Sequence, residues 1–320
     1  AREGKGGAAV AVVLPAHRVA TPVLERVRGT AGGTVLGAGA TAAWIDLGGF
    51  VLAVTTREVP LLPNAVALTA GAGALDRVAP GGAASCSPGR VSLGGLTVVW
   101  DPADPPGWDP TVPVAAGAGV GRRGEAVLAA IGVRSLRAPP DLVAGLARVG
   151  LATAAEPDGA AGIELLLRAV LDRDPDLGAA ASGVLLGRGP GLTPEGDDLL
   201  AAVAATLTTL GPAAEVAGVS LAGLLAALVP QGAVGGGHAA GGAGRLARRT
   251  TALAATLLEL AARGQVVEPA GRLLDLSPAG EPAWPGALRR LERLGHGSGR
   301  AYALGIGSAA WLLAAGGGVG

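Results

Sequence analysis

The sequence predicts an α+β protein, with a mainly β domain over residues 1–120 followed by a mainly α domain over 121–320. From about Val10 to Trp100, short apolar runs with β-branched residues alternate with glycine and proline. After Arg123 the texture changes to Ala- and Leu-rich stretches with helical spacing. Between them, Pro102 to Gly124 is rich in proline and glycine and has little periodicity, which places the junction there. Strands followed by helices argue against an alternating parallel sheet.

Strands are expected at Thr34 to Leu47, Phe50 to Thr56, Ala65 to Thr69 and Val91 to Trp100. Helices are expected at Asp141 to Ala154, Gly162 to Asp172, Pro194 to Leu210, Ala213 to Leu228, Arg245 to Arg263, Gly286 to Leu294 and Gly299 to Ala314. No fixed-period repeat is visible.

Composition narrows the function. The 25 basic and 25 acidic residues cancel, so the broad positive field that collects proteins on nucleic acid or anionic lipid is missing. One Phe, one Tyr and five Trp are too few for a base-stacking surface, and they leave Ala, Val and Leu to fill the core. Neither nucleic acid nor a membrane is an expected partner. Cys86 is the only cysteine, which excludes an internal disulfide or a thiol zinc site and fits a reducing compartment. Ala1 to Gly7 has no apolar run leading to a cleavage pattern, and the apolar Ala301 to Gly320 is interrupted by Gly305 and Gly307. The expected location is the cytoplasm.

The most informative segment runs from Gly187 to Asp198, Gly-Arg-Gly-Pro-Gly-Leu-Thr-Pro-Glu-Gly-Asp-Asp, and leads into the apolar stretch Leu199 to Leu210. Thr193 is expected to cap that helix and Pro194 to take its first position. Gly187, Gly189 and Gly191 permit positive φ, while a helix start offers unpaired N–H groups and partial positive charge, a setting suited to phosphate or carboxylate. Gly196 in the first turn costs about 1 kcal/mol against alanine, which is reasonable where something approaches the backbone closely. No Gly-Lys-Ser/Thr ending and no dinucleotide fingerprint occur, so neither ATP nor NAD is implied and no cofactor is expected. Asp197 and Asp198 suit Mg²⁺, but they equally complement the helix dipole, and no metal site is assigned.

Three other places carry candidate chemistry. Leu294 to Arg300 forms a second glycine-rich entrance, with Ser298 positioned to cap the last helix and His296 able to exchange protons near neutral pH. His238, in a glycine-rich stretch, suits a mobile lid. Arg249 and Thr250 offer a guanidinium fork and a hydroxyl for an anion, although an arginine pair is often only a solvated face. In the first half, Asn64 follows a stiff proline turn and could face a cleft or merely cap the turn.

Gly189-Pro190-Gly191-Leu192-Thr193-Pro194-Glu195-Gly196-Asp197-Asp198, Arg249-Thr250-Thr251 and Gly295-His296-Gly297-Ser298-Gly299 together resemble a bacterial family of unknown-function domains. That family includes the helical-tailed subunit of oxamate carbamoyltransferase, of anaerobic allantoin degradation and purine catabolism. The resemblance implies transfer of a carbamoyl group between a small carboxylate amide (oxamate/oxalurate) and phosphate, in a hetero-oligomer with an acyl-CoA-synthetase-like subunit. It further implies that the Gly189 to Thr193 backbone, with Leu192, Gly196, Asp197 and Asp198 around it, holds a small anionic substrate such as phosphate, carbamoyl phosphate or a carboxylate. Arg249 would pair with that anion, His296 would shuttle the proton, and Thr250 and Ser298 would orient oxygens. Two readings from other classes stand beside it: a non-catalytic anion-metabolite-binding subunit that organises a complex, and, ranked last, a Mg²⁺-dependent phosphotransferase.

Overall fold

The computed structural model describes residues 12–114, 119–134, 136, 138–214, 221–230, 246, 248–278, 280–295 and 297–316. The chain separates into two compact units that divide between Asp109 and Pro110.

The first unit is a β-barrel. Its strands are β1 (Val12–Ala20), β2 (Ala31–Ala38), β3 (Ala42–Asp46), β4 (Val51–Thr55), β5 (Ala65–Leu68), β6 (Ala83–Ser87), β7 (Arg90–Leu93), β8 (Leu96–Val99) and β9 (Gly107–Trp108), with a short helix α1 (Thr21–Arg26). They follow the order β5-β4-β3-β2-β6-β7-β8-β1-β9, and a further β5–β1 pairing closes eight of them into a ring. Long β1 makes the closure. Val12 to Pro15 run parallel to β8, and beyond them Ala16 to Val19 run antiparallel to β5 across an irregularity. Closure leaves the sheet few unpaired edges. β6 and β7 alternate exposed and buried positions, whereas every residue of β4 and β5 is buried. Their inward residues, among them Ile45, Leu52, Val66, Val91 and Val98, form one apolar cluster.

The second unit is helical: α2 (Val120–Ile131), α3 (Pro139–Arg148), α4 (Ala152–Ala155), α5 (Pro157–Asp172), α6 (Pro175–Leu185), α7 (Glu195–Leu210), α8 (Leu221–Leu228), α9 (Ala252–Ala261), α10 (Glu268–Leu274), α11 (Trp284–Leu291) and α12 (Ser298–Ala315). The α+β prediction holds. Almost all of α7 is buried, with α12 and α9 packed along it. A Cβ added at Gly305 of α12 would lie 2.6 Å from the Ala202 Cβ, and one at Gly124 of α2 would lie 2.4 Å from the Trp311 nitrogen. Backbones therefore meet where a chain poor in aromatics would otherwise leave gaps. Thr206 and Thr209, buried in α7, donate to Ala202 and Ala205 one turn back, at 2.8 Å each, so the apolar centre tolerates them.

Several boundaries differ from expectation. The run from Thr34 to Leu47 is two strands joined by a turn, and the Val91 to Trp100 run is broken by Gly94 and Gly95, both with positive φ. The predicted helix from Asp141 to Ala154 is likewise two, separated near Gly150 at φ 89°. β1, β6, α2, α6 and α10 had no sequence prediction. Among the described residues, no helix is long and apolar enough to cross a membrane.

Candidate functional site

The glycine-rich segment connects α6 to α7 and owes its composition to close chain approaches. Gly187, Gly189 and Gly191 all adopt positive φ. A Cβ on Gly187 would fall 2.3 Å from the Arg249 carbonyl oxygen, and one on Gly196 2.3 Å from that of Leu185. The neighbour inferred beside Gly196 is thus the protein's own backbone. At Gly191 the Cβ position opens onto empty space, and residues 189–192 are exposed, with Leu192 at 44%.

Both predicted caps are corrected. The N-cap of α7 is Pro194, without a side-chain bond, and helical geometry begins at Glu195, so Thr193 lies one residue too early to reach the helix amides. The N-cap of α12 is Gly297, which makes Ser298 its first helical residue. Released from capping, the two hydroxyls meet each other, Thr193 Oγ1 to Ser298 Oγ at 2.8 Å.

The α7 amides are not vacant either. Gly196 N–H donates to the Arg188 carbonyl at 3.0 Å, and the Asp197 and Asp198 amides donate to that of Pro194 at 2.9 and 3.1 Å. The anion-receiving helix end inferred from sequence is therefore occupied by the chain itself. It also carries three acidic side chains, Glu195, Asp197 and Asp198. Glu195 reaches across to α4, accepting from Thr153 N–H at 2.5 Å and Ala152 N–H at 3.3 Å, and so caps that helix.

Asp197 and Asp198 are only 2% and 7% exposed. Asp197 is fully engaged: Gly187 N–H donates to Oδ1 at 2.9 Å, and the Thr250 hydroxyl donates to Oδ2. Burial raises its proton affinity, and those two bonds partly offset the rise. Asp198 differs. Its Oδ2 is buried without a hydrogen-bond partner, and Ser298 is the side chain whose hydroxyl lowers the proton affinity of the carboxyl. Burial first, then the charges of Asp197 and Glu195, pushes this acid well above the usual carboxylate range despite the Ser298 hydroxyl. Tyr302, one turn beyond Ser298 on α12, is pushed up by burial and then by the Asp198 charge. The arrangement can hold a proton on Asp198 and connect it to hydroxyls.

Arg249, Thr250 and Thr251 each grip a different part of this region. The Arg249 Nη2 donates to the Gly183 carbonyl at 2.9 Å and to that of Ser182 at 3.4 Å, capping the end of α6, while the residue stays largely exposed. Thr251 caps α9 by accepting from Ala254 N–H at 3.1 Å, and its hydroxyl donates to the Leu192 carbonyl. Arg188 pairs with Glu156 and Asp158.

Structure thus brings together Thr193, Gly196, Asp197, Asp198, Thr250 and Ser298, with Arg249 and the loop from Gly189 to Leu192 alongside. Asn64 does not face a cleft: it is fully buried in the barrel unit, and its Nδ2 donates to the Val51 carbonyl at 2.8 Å. His296 and His238 lie outside the described residues. Among the described residues, no group of three or more His, Cys, Asp or Glu could hold a metal ion. Sequence reasoning missed Tyr302, although it is the only tyrosine and stands four residues, one helical turn, after Ser298. It also missed Arg123 of α2, buried beneath Trp284 and donating to the Leu273 carbonyl at 2.9 Å, which ties α2 to the segment from α10 to α11.

The second unit is therefore of a definite class: a helical domain with a buried acid and paired hydroxyls where α7 and α12 begin. Residues 185–310, which include all three motifs, match the model of a family described as oxamate carbamoyltransferase subunit AllH. The resemblance suspected from the motifs is borne out over that stretch, which lies wholly within the helical unit. Comparisons with curated proteins and with solved structures found no match.

Proposed function

We propose that this chain is a subunit of a carbamoyltransferase that moves a carbamoyl group between a small carboxylate amide, oxamate or oxalurate, and phosphate, with Asp198 as its general acid. The observation that carries this reading is a buried carboxyl with one unpartnered oxygen, inside the segment that matches the family. Groups buried against their charge are candidates for proton transfer. In the phosphorolytic direction, a phosphate oxygen attacks the ureido carbonyl carbon of oxalurate, and the bond from that carbon to the oxamate nitrogen breaks. The electron pair stays on nitrogen, which takes the Asp198 proton and leaves as oxamate. Carbamoyl phosphate is the other product, and the proton lost by phosphate restores the acid.

The loop from Gly189 to Thr193, exposed over 189–192, with the Arg249 nitrogens that do not bond α6, would hold the charged ends of the substrates. Thr250 would act indirectly, by fixing Asp197. The work would be done in an assembly that includes an acyl-CoA-synthetase-like chain, as the family resemblance implies.

Asp198→Asn in the assembled enzyme tests this. Turnover should fall by about 10²- to 10⁴-fold, the usual range for general acid catalysis, with the complex intact. Unchanged turnover would favour the non-catalytic anion-binding subunit instead.

A further inference from the structure

We infer that Ser298 and Thr193 form a proton relay linking the buried Asp198 to the exposed glycine-rich loop. The inference rests on the acid reading of Asp198 and deepens it. A carboxyl on a residue only 7% exposed cannot reach a substrate at the surface unaided. The Ser298 hydroxyl bears on that carboxyl, holding its proton affinity down, and lies 2.8 Å from the Thr193 hydroxyl, which is half-buried and follows directly on exposed residues 189–192. Neither hydroxyl caps the helix beside it, so helix termination does not explain their orientation.

Hydroxyls donate one proton and accept another, so a file of them passes protons without bearing lasting charge. The Asp198 O–H bond breaks and its proton goes to Ser298 Oγ; the Ser298 proton moves to Thr193 Oγ1; the Thr193 proton goes to the departing oxamate nitrogen. Asp198 is left as a carboxylate, and the reverse sequence reloads it. Asp197 and Glu195 on α7 and Tyr302 on α12 are the titratable groups that bear on this carboxyl. The two carboxylates favour its proton, and Tyr302, raised itself, remains neutral beside it.

The test uses the full chain in its assembly, with oxalurate and phosphate as substrates. Thr193→Val and Ser298→Ala should each lower kcat about 100-fold with little change in KM, the double variant should be no worse than either, and Thr193→Ser should restore turnover. Independently of turnover, infrared spectra of the wild type at neutral pH should contain the carbonyl band of a protonated carboxylic acid. Asp198→Asn should remove it, and Ser298→Ala should shift it. If Thr193→Val and Ser298→Ala turn over normally while Asp198→Asn is inactive, the relay is wrong and the acid stands. A wild-type rate in Asp198→Asn overturns both. Failure of Thr193→Ser to rescue, or a band unmoved in Ser298→Ala, also overturns the relay.

Discussion

Two helices of the second unit, α6 and α7, begin with proline and aspartate, yet the aspartates do opposite things. At α6, the Asp174 side chain accepts from its own helix at the Asp176 and Leu177 amides, 2.8 and 3.2 Å away, at the surface. That is ordinary capping, which stabilises a helix by about 1 kcal/mol. At α7, no side chain caps, the first-turn amides bond to main-chain carbonyls, and Asp197 and Asp198 turn into the protein. Both are then held protonated more strongly than an aspartate in water, and Asp198 is left with an unpartnered oxygen. An acidic first turn thus has two physical outcomes, and burial decides which.

The largest stability effect expected at α7 tests how tightly that start is built. Gly196→Ala would drive a methyl group to 2.3 Å from the Leu185 carbonyl, a backbone atom unable to swing aside. Overpacking of this kind costs about 3 kcal/mol, and better helix propensity returns about 1, for a net loss of about 2 kcal/mol in urea denaturation. At α6, Gly178→Ala would instead meet the side-chain end of Leu224 at 2.7 Å, which can move. A net change there of under about 1 kcal/mol would sharpen the contrast. Equal losses would erase it.

Next in size is the stability of Asp198→Asn, whose sign is opposite to that of losing a cap. An acid raised in the folded state binds its proton more tightly there than in the unfolded chain, so the folded state is favoured most at low pH. As pH climbs above the unfolded value of about 3.9, the unfolded state ionises first. Stability then declines until the folded carboxyl also ionises. Asn, a neutral mimic of the protonated acid, removes the Asp198 share of that decline, and Asp197 retains its own in the same direction. Denaturation curves across the acid-to-neutral range should show the variant gaining on the wild type as pH rises. Parallel curves would mean that Asp198 ionises as though in water.

What was legible in the sequence follows the same division between local and distant causes. The order of strands and then helices could be read because apolar spacing is local. β6, Ala83–Ser87, could not, since its Ala, Ser and Cys side chains carry no strand preference, nor could the β1–β5 pairing that closes the barrel. At the site, Gly187 to Asp198 and the Arg249 and Ser298 motifs were recognisable as unusual, but their orientation was not. Thr193 as a cap is correct chemistry displaced by one residue, and its real partner, Ser298, lies 105 positions away. Gly196 signalled a close approach without telling a ligand from the Leu185 carbonyl. Asn64 carries no signal that separates a cleft residue from one buried beside Val51.

The smallest expected effect completes the comparison from the α6 side. Asp174→Ala removes the side-chain acceptor for the Asp176 and Leu177 amides, and stability should fall by about 1 kcal/mol, because water can still reach those amides and replace part of the bond. Turnover should be unaffected, since the Asp174 side chain bonds only to its own helix. Asp198→Asn should show the reverse pair of outcomes at neutral pH, a more stable fold and a failed reaction. Two aspartates near helix starts in one unit would then have been separated by a single physical variable, whether water reaches the carboxylate.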